Sequence, residues 1–142
     1  MPADSPERYE AGTLSTPAIA GLLAGIGEVK RKGSEAISHH VEDLNRRLQK
    51  HLQELPNVIV YLPEYLGSVL LFNIEGRSAD WVGGELDRLG FCVRAGFHCA
   101  ALGHTTLGTP QGGAVRVSPG VFNTRAQMDA FASAVESILH SK

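Results

Sequence analysis

Apolar residues return every three to four positions near both ends of this chain, while its middle carries short, dense apolar runs. After Thr16-Pro17, an N-cap followed by proline at the first helical position, Ile19, Leu22, Leu23 and Ile26 lie at helical spacing. The spacing predicts a helix that ends near Lys32-Gly33, with Gly21 and Gly25 one turn apart where another backbone can approach closely. Ser34 is placed to cap a second helix whose stripe is Ile37, Val41, Leu44, Leu48, Leu52 and Leu55. His39, Glu42, Arg46, Lys50 and Glu54 fall elsewhere around it, and Pro56-Asn57 stops it.

Two runs rich in β-branched and aromatic residues follow, 58–62 and 68–74, separated by a turn containing proline and glycine. They are expected to pair as a hairpin. Ser78 then caps a short helix carrying Trp81, Val82, Leu86 and Leu89, with Gly90 where a left-handed C-cap would sit. Residues 91–95 read as a third strand and 114–118 as a fourth. Between them, 96–113 lacks periodicity and is expected to be a long loop of the kind that often carries function. Thr124-Arg125-Ala126-Gln127 has capping-box spacing before a last helix that turns Met128, Phe131, Val135 and Ile138 to the core. The order ααββαββα predicts an α+β fold, a small, mostly antiparallel β-sheet covered by helices.

Composition narrows the function classes. At 142 residues and 43% hydrophobic content, one domain can build its own core, with residues 1–8 a disordered lead-in and 9–142 the folded part. Thirteen Lys+Arg against fifteen Asp+Glu leave no basic excess to grip a phosphate backbone, so no nucleic acid is expected as a partner. The longest apolar runs are too short to cross a bilayer and the N-terminus has no apolar signal core, so no membrane association and a cytoplasmic location are expected. Two cysteines cannot form a disulfide framework of the secreted kind.

Candidate chemistry gathers at Arg94-Ala95-Gly96-Phe97-His98-Cys99-Ala100, where a thiol follows a strand end beside a histidine and near an arginine. A cation favours the nucleophilic thiolate, and a mobile loop lets it move. Composition alone slightly favours the alternative of a buried, inert cysteine. Cys92, inside the third strand, reads as core. A metal site from Cys92, His98, Cys99 and His104 lacks any recurrent Cys-x-x-Cys or His-x-x-x-His spacing, so no metal is expected. Arg116 lies in a short apolar strand, where a bidentate carboxylate would offset the cost of burying its charge; a solvent-facing arginine is the alternative. Asn123-Thr124 reads first as helix capping and Gly12-Thr13 first as a turn, although the latter could offer a hydroxyl and amides to a phosphate.

Taken in order, Tyr9-Glu10-Ala11-Gly12-Thr13, Val93-Arg94-Ala95-Gly96-Phe97-His98-Cys99-Ala100, Val115-Arg116-Val117-Ser118 and Phe122-Asn123-Thr124 resemble the C-terminal motifs of cysteine desulfurases, which belong to the class V aminotransferase group of fold-type-I pyridoxal-phosphate enzymes. The resemblance implies the C-terminal small domain of that fold. It implies that Cys99 takes sulfur from L-cysteine (or selenium from selenocysteine) as a persulfide, leaving alanine, for a sulfur acceptor protein and ultimately iron–sulfur cluster assembly. It further implies that Arg116 clamps the substrate carboxylate, that Arg94 belongs with it to the substrate-binding residues near the active-site mouth, either supporting the loop or biasing the thiol toward thiolate, and that Gly12 and Thr13 reach the phosphate of pyridoxal 5'-phosphate across a dimer interface.

The departure from the family pattern matters as much. Lys30, Lys32 and Lys50 fall on predicted helices and Lys142 ends the chain, so no lysine is placed to form the cofactor's Schiff base. The chain alone is therefore expected to be inactive: a piece of a desulfurase, with a cofactor-free sulfur carrier or the small domain of a related aminotransferase or selenocysteine lyase as alternatives. Apolar surface around the first helix, left bare without a large domain, is expected to drive formation of a homo-oligomer.

Overall fold

Proline in its first turn and a left-handed glycine at its end bracket the first helix, α1 (Thr16–Lys32), in the computed structural model, which describes residues 4–9, 12–61, 67–109 and 112–140. The chain divides into two compact units, residues 1–37 and 38–142. In the first, a single 3-10 turn, Glu7–Tyr9, precedes α1. Ser15, not Thr16, is the N-cap residue, and Gly33 at φ 84° closes the helix by donating its N–H to the Val29 carbonyl at 2.8 Å. No residue of α1 is buried: Ile19, Leu22, Leu23 and Ile26 all stand exposed.

Helix α2 (Ser34–Glu54) begins at Ser34 itself, which is helical rather than a cap, and buries Val41, Leu44, Asn45, Leu48 and Leu52. In the second unit, β1 (Val58–Tyr61) pairs antiparallel with β2 (Leu70–Ile74), as the expected hairpin has it. Leu62 and, of the expected turn between the two strands, residues 63–66 lie outside the described residues. Ser78 accepts the Trp81 N–H at 3.2 Å to cap α3 (Ala79–Arg88), while the Arg77 guanidinium lies over the Trp81 ring. Leu89, expected on this helix, is its half-exposed C-cap residue, and Gly90 follows at φ 84°.

The chain continues through β3 (Arg94–Gly96), α4 (Ala101–Leu107), β4 (Ala114–Val117) and α5 (Arg125–Leu139). Strand order is β1-β2-β4-β3 and every pair is antiparallel, so the fold is α+β with a four-stranded sheet. One face of that sheet, including Phe72 and Val115, packs with Leu48 and Leu52 of α2, Leu86 of α3 and Val135 of α5. Phe131 of α5 meets Phe72 and Phe91 edge-on, at centroid distances of 6.2 and 5.3 Å. The capping box closes as its spacing predicts: Gln127 N–H reaches the Thr124 hydroxyl, and the Gln127 side chain accepts the Thr124 N–H. No helix among the described residues is long and apolar enough to cross a membrane.

Candidate active site

The sheet face opposite the core carries a row of side chains set by strand register. Tyr61 of β1 stands opposite Leu71 of β2, Leu71 opposite Arg116 of β4, and Arg116 opposite Arg94 of β3. Register thus sets two cationic side chains on directly opposed residues, a placement that like charges disfavour. Arg116 is half-buried, and its Nε is buried with no hydrogen-bond partner among the described residues. Next to the row, buried Asn73 donates to the Tyr61 hydroxyl at 3.1 Å and to the Gly113 carbonyl at 3.0 Å, tying β2 to the start of β4. Asn73 interrupts Leu70-Leu71-Phe72 and Ile74; a polar residue in such a run signals a buried partner, a signal that the sequence reading passed over.

β3 runs directly into the cysteine segment. His98 and Cys99 both adopt left-handed backbone conformations, φ 52° and 61°, unusual for side chains with a Cβ and concentrated where a fold holds function under strain. His98 Nε2 lies 3.1 Å from the Ala114 carbonyl. A carbonyl only accepts, so Nε2 carries the hydrogen and Nδ1 is left with a lone pair, buried and unpartnered among the described residues. Cys99 itself is exposed. Within 96–113, expected as unbroken loop, α4 follows the cysteine and ends at Gly108 in a left-handed C-cap. Its seven residues bury a single side chain, His104, which pairs with the Thr109 hydroxyl at 2.9 Å and packs edge-on against Phe97. One buried residue in two turns leaves no periodicity to read.

Burial is the main force that lowers the His98 pKa below the usual imidazole value; the hydrogen bond to Ala114 opposes it, and Arg116, His104 and Arg94 add repulsion. The folded state therefore prefers neutral His98. That preference stabilises fully above the unfolded value, about pH 6.5, and is lost as pH falls through the lower folded value. In urea titrations at about pH 7.5 and about pH 5, the parent chain is expected to lose more stability on acidification than His98→Gln. Equal losses would remove His98 from this role.

Cys92 corrects the expectation of a core cysteine. β3 begins only at Arg94, Phe91 and Val93 pack against the core, and the residue between them is turned outward and exposed. Cys92 lines a cleft with Val117, Ser118 and Asn123. Among the described residues no group of three or more His, Cys, Asp or Glu side chains could hold a metal ion. Gly12, at φ 88°, and Thr13 belong to the first unit, and Glu10 and Ala11 of the same motif lie outside the described residues.

The family model described as aminotransferase class-V matches residues 2–131. The chain belongs to the class-V aminotransferase family. Among relatives in that family, the cysteine desulfurase of Pectobacterium carotovorum is 34% identical over 136 residues, covering 96% of this chain and 33% of the relative. The apo cysteine desulfurase of Thermococcus onnurineus NA1 shares the fold with a TM-score of 0.82 at 34% identity, covering 94% of this chain and 33% of that one. The S-sulfonic acid form of the Escherichia coli cysteine desulfurase CsdA matches with the same TM-score and coverage at 25% identity. This class-V aminotransferase chain thus spans about a third of the length of the relatives that it matches.

Class-V aminotransferases use pyridoxal phosphate, and in a mutant of a more distant neighbour, C-DES, glycine is covalently linked to that cofactor. Such a group needs a lysine for its Schiff base. Lys30 and Lys32 close α1, and Lys50 lies on the exposed side of α2; none belongs to the row that holds Arg94 and Arg116. The described residues do not fit a Schiff-base site.

Proposed function

We propose that this chain is the sulfur-accepting small domain of a cysteine desulfurase, with Cys99 as the acceptor and Arg116 as the anchor for the substrate's α-carboxylate. The supporting observation is the opposed Arg94–Arg116 pair, with a buried, unpartnered Arg116 Nε, on the strand pair that leads into an exposed thiol. A planar carboxylate offers the bidentate, charge-assisted partner that neither guanidinium has among the described residues. In the net reaction, a bond forms between the Cys99 sulfur and the sulfur of L-cysteine while the substrate's Cβ–S bond breaks. The electron pair stays with Cβ, which takes a proton to give alanine, and the outer persulfide sulfur passes to an acceptor protein. Selenocysteine would be handled in the same way. Gly12 and Thr13 contribute to the cofactor phosphate in this reading, and a lysine-bearing large domain supplies the Schiff base. The bare apolar face of α1 favours a homo-oligomer, and a monomer by light scattering would contradict that part.

The test adds a lysine-bearing large domain of a class-V aminotransferase in trans, supplies L-cysteine, and follows alanine release and the mass of this chain. The parent should gain sulfur on Cys99, and Cys99→Ser should abolish both readouts. Undiminished alanine release by Cys99→Ser would overturn the assignment.

The absence of a Schiff-base lysine among the described residues favours a second reading, in which the chain carries persulfide sulfur without a cofactor of its own. Exposure to a persulfide donor alone, followed by intact mass measurement, decides it: Cys99 gains sulfur if the chain is a carrier and stays unmodified if it is not.

A further inference from the structure

Basic side chains crowd the exposed ground between α2 and the start of α5. Arg46, Arg47, Lys50 and His51 fall one and four positions apart, so they share one side of α2. Arg125, the first residue of α5, reaches the same cleft of about 400 Å³, in which Asp43 is the sole acid of the lining.

Two acids do approach these cations, and both are committed. Arg47 donates to both oxygens of Asp129, from Nε at 2.6 Å and Nη2 at 2.8 Å, and Arg125 Nε donates to Asp43 at 2.8 Å. These hydrogen bonds hold both carboxyls below their usual pKa, which favours their ionised form. The pairs bridge α2 to α5 and fix the walls of the cleft. Arg46 and Lys50, one turn apart and exposed, have no partner among the described residues. Within the cleft four permanent cations meet two carboxylates, and Glu42 and Glu54, one turn outside Arg46 and Lys50 on the same row, bound this positive ground at either end.

We infer that the α2–α5 cleft docks an acidic segment of a partner protein, with Arg46 and Lys50 each taking a carboxylate. Residues four apart on a helix hold their Cβ atoms about 6 Å from one another, a separation that two acids one turn apart on a facing helix reproduce. The positive ground is short, about 8 Å along α2 at 1.5 Å per residue. A long polyanion such as nucleic acid would run beyond it onto an acidic molecule of pI 6.3, whereas a short acidic segment ends within it. The sulfur-transfer reading is not needed here, since docking involves no cysteine chemistry.

The experiment titrates the full chain against a fluorescein-labelled helical peptide of about fifteen residues that carries glutamates four apart, read by anisotropy. Saturable binding that weakens steadily with added salt is expected, and a version with glutamine at each glutamate should not bind. Arg46→Gln/Lys50→Gln, which leaves both ion pairs intact, should bind about tenfold more weakly, with an unchanged circular dichroism spectrum and an unchanged rate of Cys99 alkylation. The inference is overturned if the peptide does not saturate, or if the double variant binds like the parent. It is also overturned if inorganic phosphate displaces the peptide as readily as excess unlabelled peptide does, or if a single-stranded oligonucleotide binds more tightly than the peptide.

Discussion

Replacing Gly113 with alanine is expected to break the β3–β4 edge and with it the seat of Cys99. Gly113 sits at φ 79°, and a Cβ built there would fall on the carbonyl of Gly96 and lie 2.9 Å from the Phe97 amide nitrogen. All of these are backbone atoms, and they cannot swing aside as a side chain would. Gly96 is paired with Ala114, and the Gly113 carbonyl accepts from buried Asn73, so any retreat costs the ladder or that hydrogen bond. Left-handed strain of about 1–2 kcal/mol and overpacking of about 1–3 kcal/mol act together. Urea unfolding should show a loss of roughly 3 kcal/mol, and the Cys99 alkylation rate should change as the segment shifts. Gly112→Ala is the matched control: it has φ 110° but nothing within 4 Å of the added carbon, so it should show the backbone cost alone. Equal losses at the two positions would refute the steric argument.

Phe72→Ala should cost more still. The ring is fully buried at the centre of the sheet's inner face, edge-on to Phe131, with strand neighbours on both sides. Truncating a buried aromatic leaves a cavity that rigid surroundings fill poorly, at about 3–5 kcal/mol. Domains of this kind hold only about 5–15 kcal/mol in all. The denaturant midpoint should fall steeply, and Phe72→Leu, which retains most of the volume, should fall much less. A shift smaller than that of Gly112→Ala would mean that the inner face repacks around the hole.

Much of this architecture was legible because burial writes a period into the chain. The stripe from Val41 to Leu52, the hairpin strands and the capping box at Thr124 emerged where expected, since each couples residue spacing to a buried face or to a satisfied backbone group. α4 was illegible because seven residues with only His104 buried make no period. Cys92 was misread because Phe91 and Val93 fix which side of the chain faces inward, and a small sulfur residue between them fits either side by composition. α1 showed a clear apolar stripe, but a stripe reports only the propensity to be covered; here nothing on that helix is buried. At the candidate site, the thiol and the strand arginine could be named from motif text alone. The direct opposition of Arg94 and Arg116 could not, because register is decided by the partner strand and not by the strand's own letters.

Both cysteines of this chain stand at the surface, one beside Ser118 and Asn123, the other just ahead of α4. In air, two molecules can therefore become joined through sulfur alone, and a particle of doubled mass would then report oxidation rather than any attraction between apolar helices. Sizing in dithiothreitol separates the two origins, and Cys92→Ser leaves one addressable sulfur, so that every modified species maps to a single position.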